Sequence, residues 1–166
     1  SWHGTRPMRS RLGVKYMGDS DRNSAVEGTL YVSHGGPGVT WGNMKYTDDV
    51  WRCYGDGTRM TAAVSLMDGW VSQIWGAVKA REVSHDEDWM LVVTTDHGRN
   101  ADTGRGHGGQ TERERTIWIS TNHDALNENF SPDAAIVDIL PSIAKHLGLS
   151  MPDDIRTALD GQSFIA

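Results

Sequence analysis

The sequence carries one cysteine, Cys53, in 166 residues. That excludes an internal disulfide framework and leaves the fold to packing and hydrogen bonding. No apolar run approaches the roughly 18–20 residues that a membrane helix needs, so no span is expected. Positive charge is also short: 16 Lys+Arg stand against 22 Asp+Glu, a formal net charge of −6. A nucleic-acid binder would show a basic stripe, and none is visible. The chain opens at Ser1 with no charged and apolar leader, so no signal peptide is read, which a processed chain would also show. Internal repeats and low-complexity tracts are absent. What is present suffices for a core: 37% of the residues are hydrophobic and 23% charged, which argues against global disorder. The length fits a single domain over 1–166.

The glycines divide the chain into unlike parts. Residues 1–60 are rich in Gly, Asp and Arg and weakly periodic, with one strand expected at 28–34 (GTLYVSH) and a turn at 35–38 (GGPG). From Thr61 the pattern strengthens. Ala63, Leu66, Met67, Trp70, Val71, Ile74, Trp75 and Val78 follow helical spacing and predict a core-facing helix of about twenty residues with Thr61 as N-cap. Residues 89–95 (WMLVVTT) predict a fully buried, parallel strand, and 116–120 (TIWIS) predict another strand. Ser131-Pro132-Asp133 has the chemistry of a helix start; the helix is expected to reach Leu147, stop at Gly148 and kink at Pro141. Helix, strand, loop, strand, helix predicts an α/β fold: a mainly parallel central sheet flanked by helices.

Ligands in such sheets collect beyond the carboxyl ends of the strands. Asp96-His97-Gly98 stands there, after 89–95. Neighbouring strand side chains point to opposite faces, so Asp96 and His97 can share an ion only if the chain turns, and Gly98 would ease that turn. Carboxylate oxygen with imidazole nitrogen is a normal donor set for zinc, manganese or iron. The competing reading is an Asp that caps a turn beside a packed His. Ten residues on, His107 lies between Gly106 and Gly108-Gly109, where its ring has little steric cover. A loop histidine without a ligand fits that segment too. His34, in SHGGPG, reads as part of a turn, and His3, His85, His123 and His146 read as surface residues.

Taken together, TTDHGRN, GHGGQTERERTIWIS, VDILPSIAKHLGL and DGQSF, in that order, resemble the C-terminal portion of the alkaline phosphatase superfamily. The branch most resembled is that of the phosphodiesterases, nucleotide pyrophosphatases and phosphonoacetate hydrolases. The resemblance covers residues 61–166. It implies a two-metal phosphoester hydrolase, the metals usually zinc, with Asp96 and His97 on one ion and His107 on the other. One metal would activate a Ser/Thr nucleophile and the other stabilise the leaving oxygen. Asp138 to Ser142 and Asp160 to Ser163 match the family's late helix and closing turn, as packing features.

Two parts of the family pattern are missing. An Asp-x-x-x-His pair should complete the second metal site just before the long helix. The corresponding stretch, YTDDVWRCYGDGTRM, offers Asp48, Asp49 and Asp56 but no histidine. The nucleophile has no convincing context either; Thr5, in GTRP, is a faint candidate. The absences fit a portion of a longer enzyme, or alternatively a catalytically inactive binding or scaffold domain that keeps the fold. Arg99 and Arg105 are weak candidates for contacting a small phosphate-ester substrate, with Arg113 and Arg115 nearby. Enzymes of this branch are often exported, which leans the expected location towards the periplasm or the exterior.

Overall fold

The computed structural model describes residues 14–17, 21–34 and 38–166. The expectations for Thr5, for His3 and for most of the GGPG turn therefore lie outside the described residues. The described residues form helices α1 (Asp21–Ser33), α2 (Tyr46–Tyr54), α3 (Thr58–His85), α4 (Glu112–Arg115), α5 (Ile139–His146) and α6 (Asp153–Ala158). Four short strands accompany them: β1 (Val14–Met17), β2 (Val39–Gly42), β3 (Val92–Thr94) and β4 (Ile119–Thr121). Strand β1 pairs parallel with β2, and β3 antiparallel with β4.

The expected mainly parallel central sheet is thus corrected. Among the described residues the protein is mostly helical, and neither sheet is wider than two strands. The apolar run at 89–95 contributes only three residues to a ladder, and they are half-buried. At its start the run is held through a side chain, Leu91 N–H donating to Asn122 Oδ1 at 2.7 Å. Composition and periodicity cannot tell a short half-buried antiparallel strand from a buried parallel one.

Two compact units emerge. The first takes the described part of Ser1–Trp89 together with Arg99–Gly109; the second takes Met90–Gly98 and Gln110–Ala166. In the first unit, α1 and α2 both pack on α3. The expected strand at 28–34 is helix instead, the end of α1. Ala25, Gly28 and Val32 are buried at helical spacing. Thr29 and Ser33 hydroxyls donate back to the carbonyls of Ala25 and Thr29 at 2.9 and 2.7 Å, so both find partners inside the helix. Helix α3 starts three residues before Thr61, with Gly57 at the N-cap position, and runs 28 residues. Of the expected stripe, Ala63, Met67 and Val78 are buried, Trp70, Val71, Ile74 and Trp75 half-buried, and Leu66 exposed. The far end of α3 is closed by the left-handed Asp86 and by Arg81, which grips Glu87 with two guanidinium donors. That grip, joined by the Trp89 indole, holds the Glu87 carboxyl below the usual glutamate range.

The second unit packs Ile139, Phe164 and Ile165 with Met90, Val92, Ile119, Phe130 and Ile143. The expected helix from Ser131 to Leu147 is shorter. Ser131 to Asp133 form a turn, with Ser131 Oγ accepting from Asp133 N–H at 3.2 Å, and a 3₁₀ turn (Ile136–Asp138) leads into α5. Pro141 therefore falls in the first turn of α5, where a missing N–H costs nothing, and does not kink it. The stop at Gly148 is as expected: φ is +62°, and Gly148 and Leu149 N–H donate back to Lys145 and Ala144 carbonyls.

The VDILPS and DGQSF segments close on each other. Asp138 accepts from Ala135 N–H through one carboxylate oxygen and from Gln162 N–H through the other, both at 2.7 Å. Ser142 Oγ donates to the Asp138 carbonyl at 2.7 Å and accepts from Phe164 N–H at 2.9 Å. Both Ser142 and Phe164 have 0% exposure. Ser142→Ala strands the Phe164 N–H in the core, and an unsatisfied buried donor costs about 1–3 kcal/mol. Urea denaturation of the variant should show a loss in that range; an unchanged midpoint would show that the clasp carries no stability.

Candidate functional site

The D-H-G segment belongs to the second unit. Strand β3 ends at Thr94 and the chain bends at Asp96, so the turn needed for convergence is made. Asp96 Oδ1 and His97 Nε2 stand 3.6 Å apart. Two bonds of about 2.1 Å at a tetrahedral angle separate their donors by roughly 3.4 Å, so the pair has the spacing of a chelate. His97 Nδ1 lies 2.9 Å from the Gly98 carbonyl, which can only accept, so Nδ1 carries a proton and Nε2 is the nitrogen turned towards Asp96. Asp96 is solvent-exposed and His97 half-buried.

Gly98 has a role other than easing the turn. Its φ is not in the left-handed region, but a Cβ there would collide with the Arg113 carbonyl. Gly98 N–H donates to the Glu114 carbonyl at 2.8 Å. Helix α4 is fixed in turn by a capping box. Thr111 Oγ1 and N–H both donate to the Glu114 carboxylate, at 2.6 and 3.1 Å, and Thr111 Oγ1 accepts from Glu114 N–H. T-x-x-E at 111–114 is the sequence signal that could have found this helix inside what reads as a long polar loop.

His107 belongs to the first unit, as does Arg99. The three acids near α2 have separate fates. Asp49 pairs with Lys45 at 3.2 Å, and Asp56 accepts from the Trp51 indole at 2.6 Å. Asp48 meets two arginines: Arg52, one turn later on α2, donates Nε to Oδ2 at 2.6 Å, and Arg99 Nη2 contacts Oδ1. Arg52 also donates Nη2 to His107 Nε2 at 2.8 Å. Ligand atoms of Asp48 and His107 lie within 4.8 Å of each other. Spacing of i, i+4 puts Asp48 and Arg52 on one face of α2. Sequence reasoning missed Arg52, because it looked for a histidine there.

Arg99 is 2% exposed. Its guanidinium lies over the Trp51 ring, 5.1 Å from the centroid, and its Nε and Nη1 have no hydrogen-bond partner among the described residues. Burial draws its pKa below the usual arginine value, yet an arginine stays charged in a protein. Arg99 is thus buried against Asp48, whereas Arg105 is exposed. Among the remaining histidines, His34 and His85 make local contacts, with the Leu30 carbonyl and the Ser84 hydroxyl. His123 and His146 are half-buried and meet edge-to-face at 5.6 Å, so they are not plain surface residues.

Over 128 residues the chain is 31% identical to GPI ethanolamine phosphate transferase 3 of Eremothecium gossypii. The match takes in 69% of this chain and 12% of that protein, so the chain spans about an eighth of the relative. No protein-family model matches the chain, and no solved structure matches it. Among the described residues no helix is long and apolar enough to cross a membrane.

The two arginines on Asp48 should differ sharply in what they contribute. Arg99→Met removes the buried partner and is expected to cost about 3 kcal/mol of unfolding free energy. Arg52→Met, whose side chain is 55% exposed, should cost less than about 1 kcal/mol. Chemical denaturation of both variants checks this, and equal losses would contradict the assignment of Arg99 as the structural member.

Proposed function

We propose that this chain carries part of a metal-dependent phosphoester-cleaving site of the alkaline phosphatase superfamily type, a hydrolase of phosphate esters. The observation that carries the reading is the Asp96–His97 pair: ligand atoms 3.6 Å apart, with the Nδ1 side of the histidine held by the Gly98 carbonyl. The distant similarity to a phosphate transferase and the ordered D-H-G and H-G-G motifs support the same chemistry.

Asp96 and His97 are the proposed ligands of one divalent ion, zinc by donor set, with manganese or iron also suited. The resemblance gives His107 to a second ion, but its Nε2 accepts from Arg52 at 2.8 Å. A bound ion would supply Lewis acidity towards the phosphoryl oxygens and lower the pKa of an attacking hydroxyl. The chain's own groups orient and balance charge. The Gly98 carbonyl holds the Nδ1 side of the His97 ring and leaves Nε2 facing Asp96, and the Gly98–Glu114 bond holds the backbone that presents both residues. The guanidinium of Arg52 offers fixed positive charge and donors suited to phosphate oxygens. Its substrate is proposed to be a small phosphate ester; the nucleophile is a Ser or Thr, for which Thr5 is the candidate in this chain. A location outside the cytoplasm fits this class of enzyme. The relative's name favours a second reading, in which the group is transferred to an acceptor other than water.

Hydrolysis of bis(4-nitrophenyl) phosphate with added zinc or manganese tests the proposal. The rate should rise with the metal. His97→Ala should lower it at least tenfold and lose one bound zinc while circular dichroism stays unchanged. Equal rates and equal metal content in both proteins would refute the ligand assignment.

A further inference from the structure

We infer that the guanidinium of Arg52 occupies the place where the resembled pattern has its second metal ion, so that Asp48 and His107 hold an arginine and not a metal. The inference rests on the metal-dependent reading above and changes its stoichiometry. The two-metal pattern that the sequence resembles completes its second site with Asp-x-x-x-His before the long helix. This chain has Asp48-x-x-x-Arg52 on α2, immediately before α3.

An ion at this position would have to bind the atoms that Arg52 already holds: Asp48 Oδ2 at 2.6 Å and His107 Nε2 at 2.8 Å. An unprotonated imidazole nitrogen has one lone pair. While His107 Nε2 accepts from Arg52, that pair is not available to a metal. Charge points the same way. Asp48 carries one negative charge and meets the guanidinium groups of Arg52 and Arg99, leaving one net positive charge among the three. A divalent cation added there meets repulsion, and because arginine does not lose its proton, no ordinary pH opens the place. The same arrangement attracts an anion, and a planar guanidinium suits phosphate oxygens. Arg52 therefore keeps the charge role of a second ion without metal, and its 55% exposed side chain leaves it reachable by a ligand.

Zinc titration by calorimetry on the full chain tests this, with metal content read independently by mass spectrometry. Arg52→His should bind one zinc more than the wild type. The added equivalent should disappear when His107→Ala is combined with it. His107→Ala alone should leave the wild-type stoichiometry unchanged. Arg52→Gln is the second variant should Arg52→His not fold: it removes the competing cation and should admit zinc in a His107-dependent way. Equal stoichiometry in wild type and both Arg52 variants would overturn the inference, and so would loss of a zinc from the wild type on His107→Ala alone. Failure of the broader metal reading looks different: His97→Ala would then change nothing, while the increment at Arg52 would still be read.

Discussion

A buried arginine has to find a carboxylate, and much of the first unit follows from how Arg99 does so. At 2% exposure the Arg99 guanidinium cannot be left to solvent, and Asp48 on α2 supplies its counter-charge. The pairing ties residues 99–109 to α2. That segment is organised from within by Asn100, whose Oδ1 accepts from the N–H groups of Asp102 and Thr103, both at 3.0 Å. Its far part carries His107, which meets Arg52 one turn along α2 from Asp48. One carboxylate thus fixes a structural arginine on one side and a reachable arginine on the other.

The second unit solves a different problem, the presentation of two adjacent side chains to one point. A regular strand would send Asp96 and His97 to opposite faces. The short ladder of β3 and β4 ends before them, and the bend brings their ligand atoms to 3.6 Å. Tight approach of the α4 turn to Gly98 holds that bend, which is why the third residue of the motif has no side chain. Asp138 and Ser142 clasp the C-terminal segment by satisfying Gln162 and Phe164 N–H groups, so the late motifs serve the core.

Local features were more legible in the sequence than the sheet architecture. Helix α3, the stop at Gly148 and the turn that brings Asp96 and His97 together could be read from spacing and residue type. The sheet could not, because a run such as WMLVVTT carries the same apolar signal whether it is a buried parallel strand or a three-residue antiparallel one. GTLYVSH misled for a related reason: its apolar and β-branched residues carry a strand signal, while burial of Ala25, Gly28 and Val32 at helical spacing decides for α1. The α4 capping box was present as T-x-x-E but lay inside a polar stretch. Arg52 was invisible to a search for a histidine ligand, since its meaning depends on the long-range contact with His107, 55 residues away.

The most direct test of the central claim, one ion with a fixed arginine in place of a second, is a crystal structure of the chain with zinc, read by anomalous scattering at the zinc edge. One peak is expected, against Asp96 Oδ1 and His97 Nε2, with the Arg52 guanidinium in density between Asp48 and His107. A peak between Asp48 and His107 with Arg52 turned away, or no peak at Asp96 and His97, would contradict it.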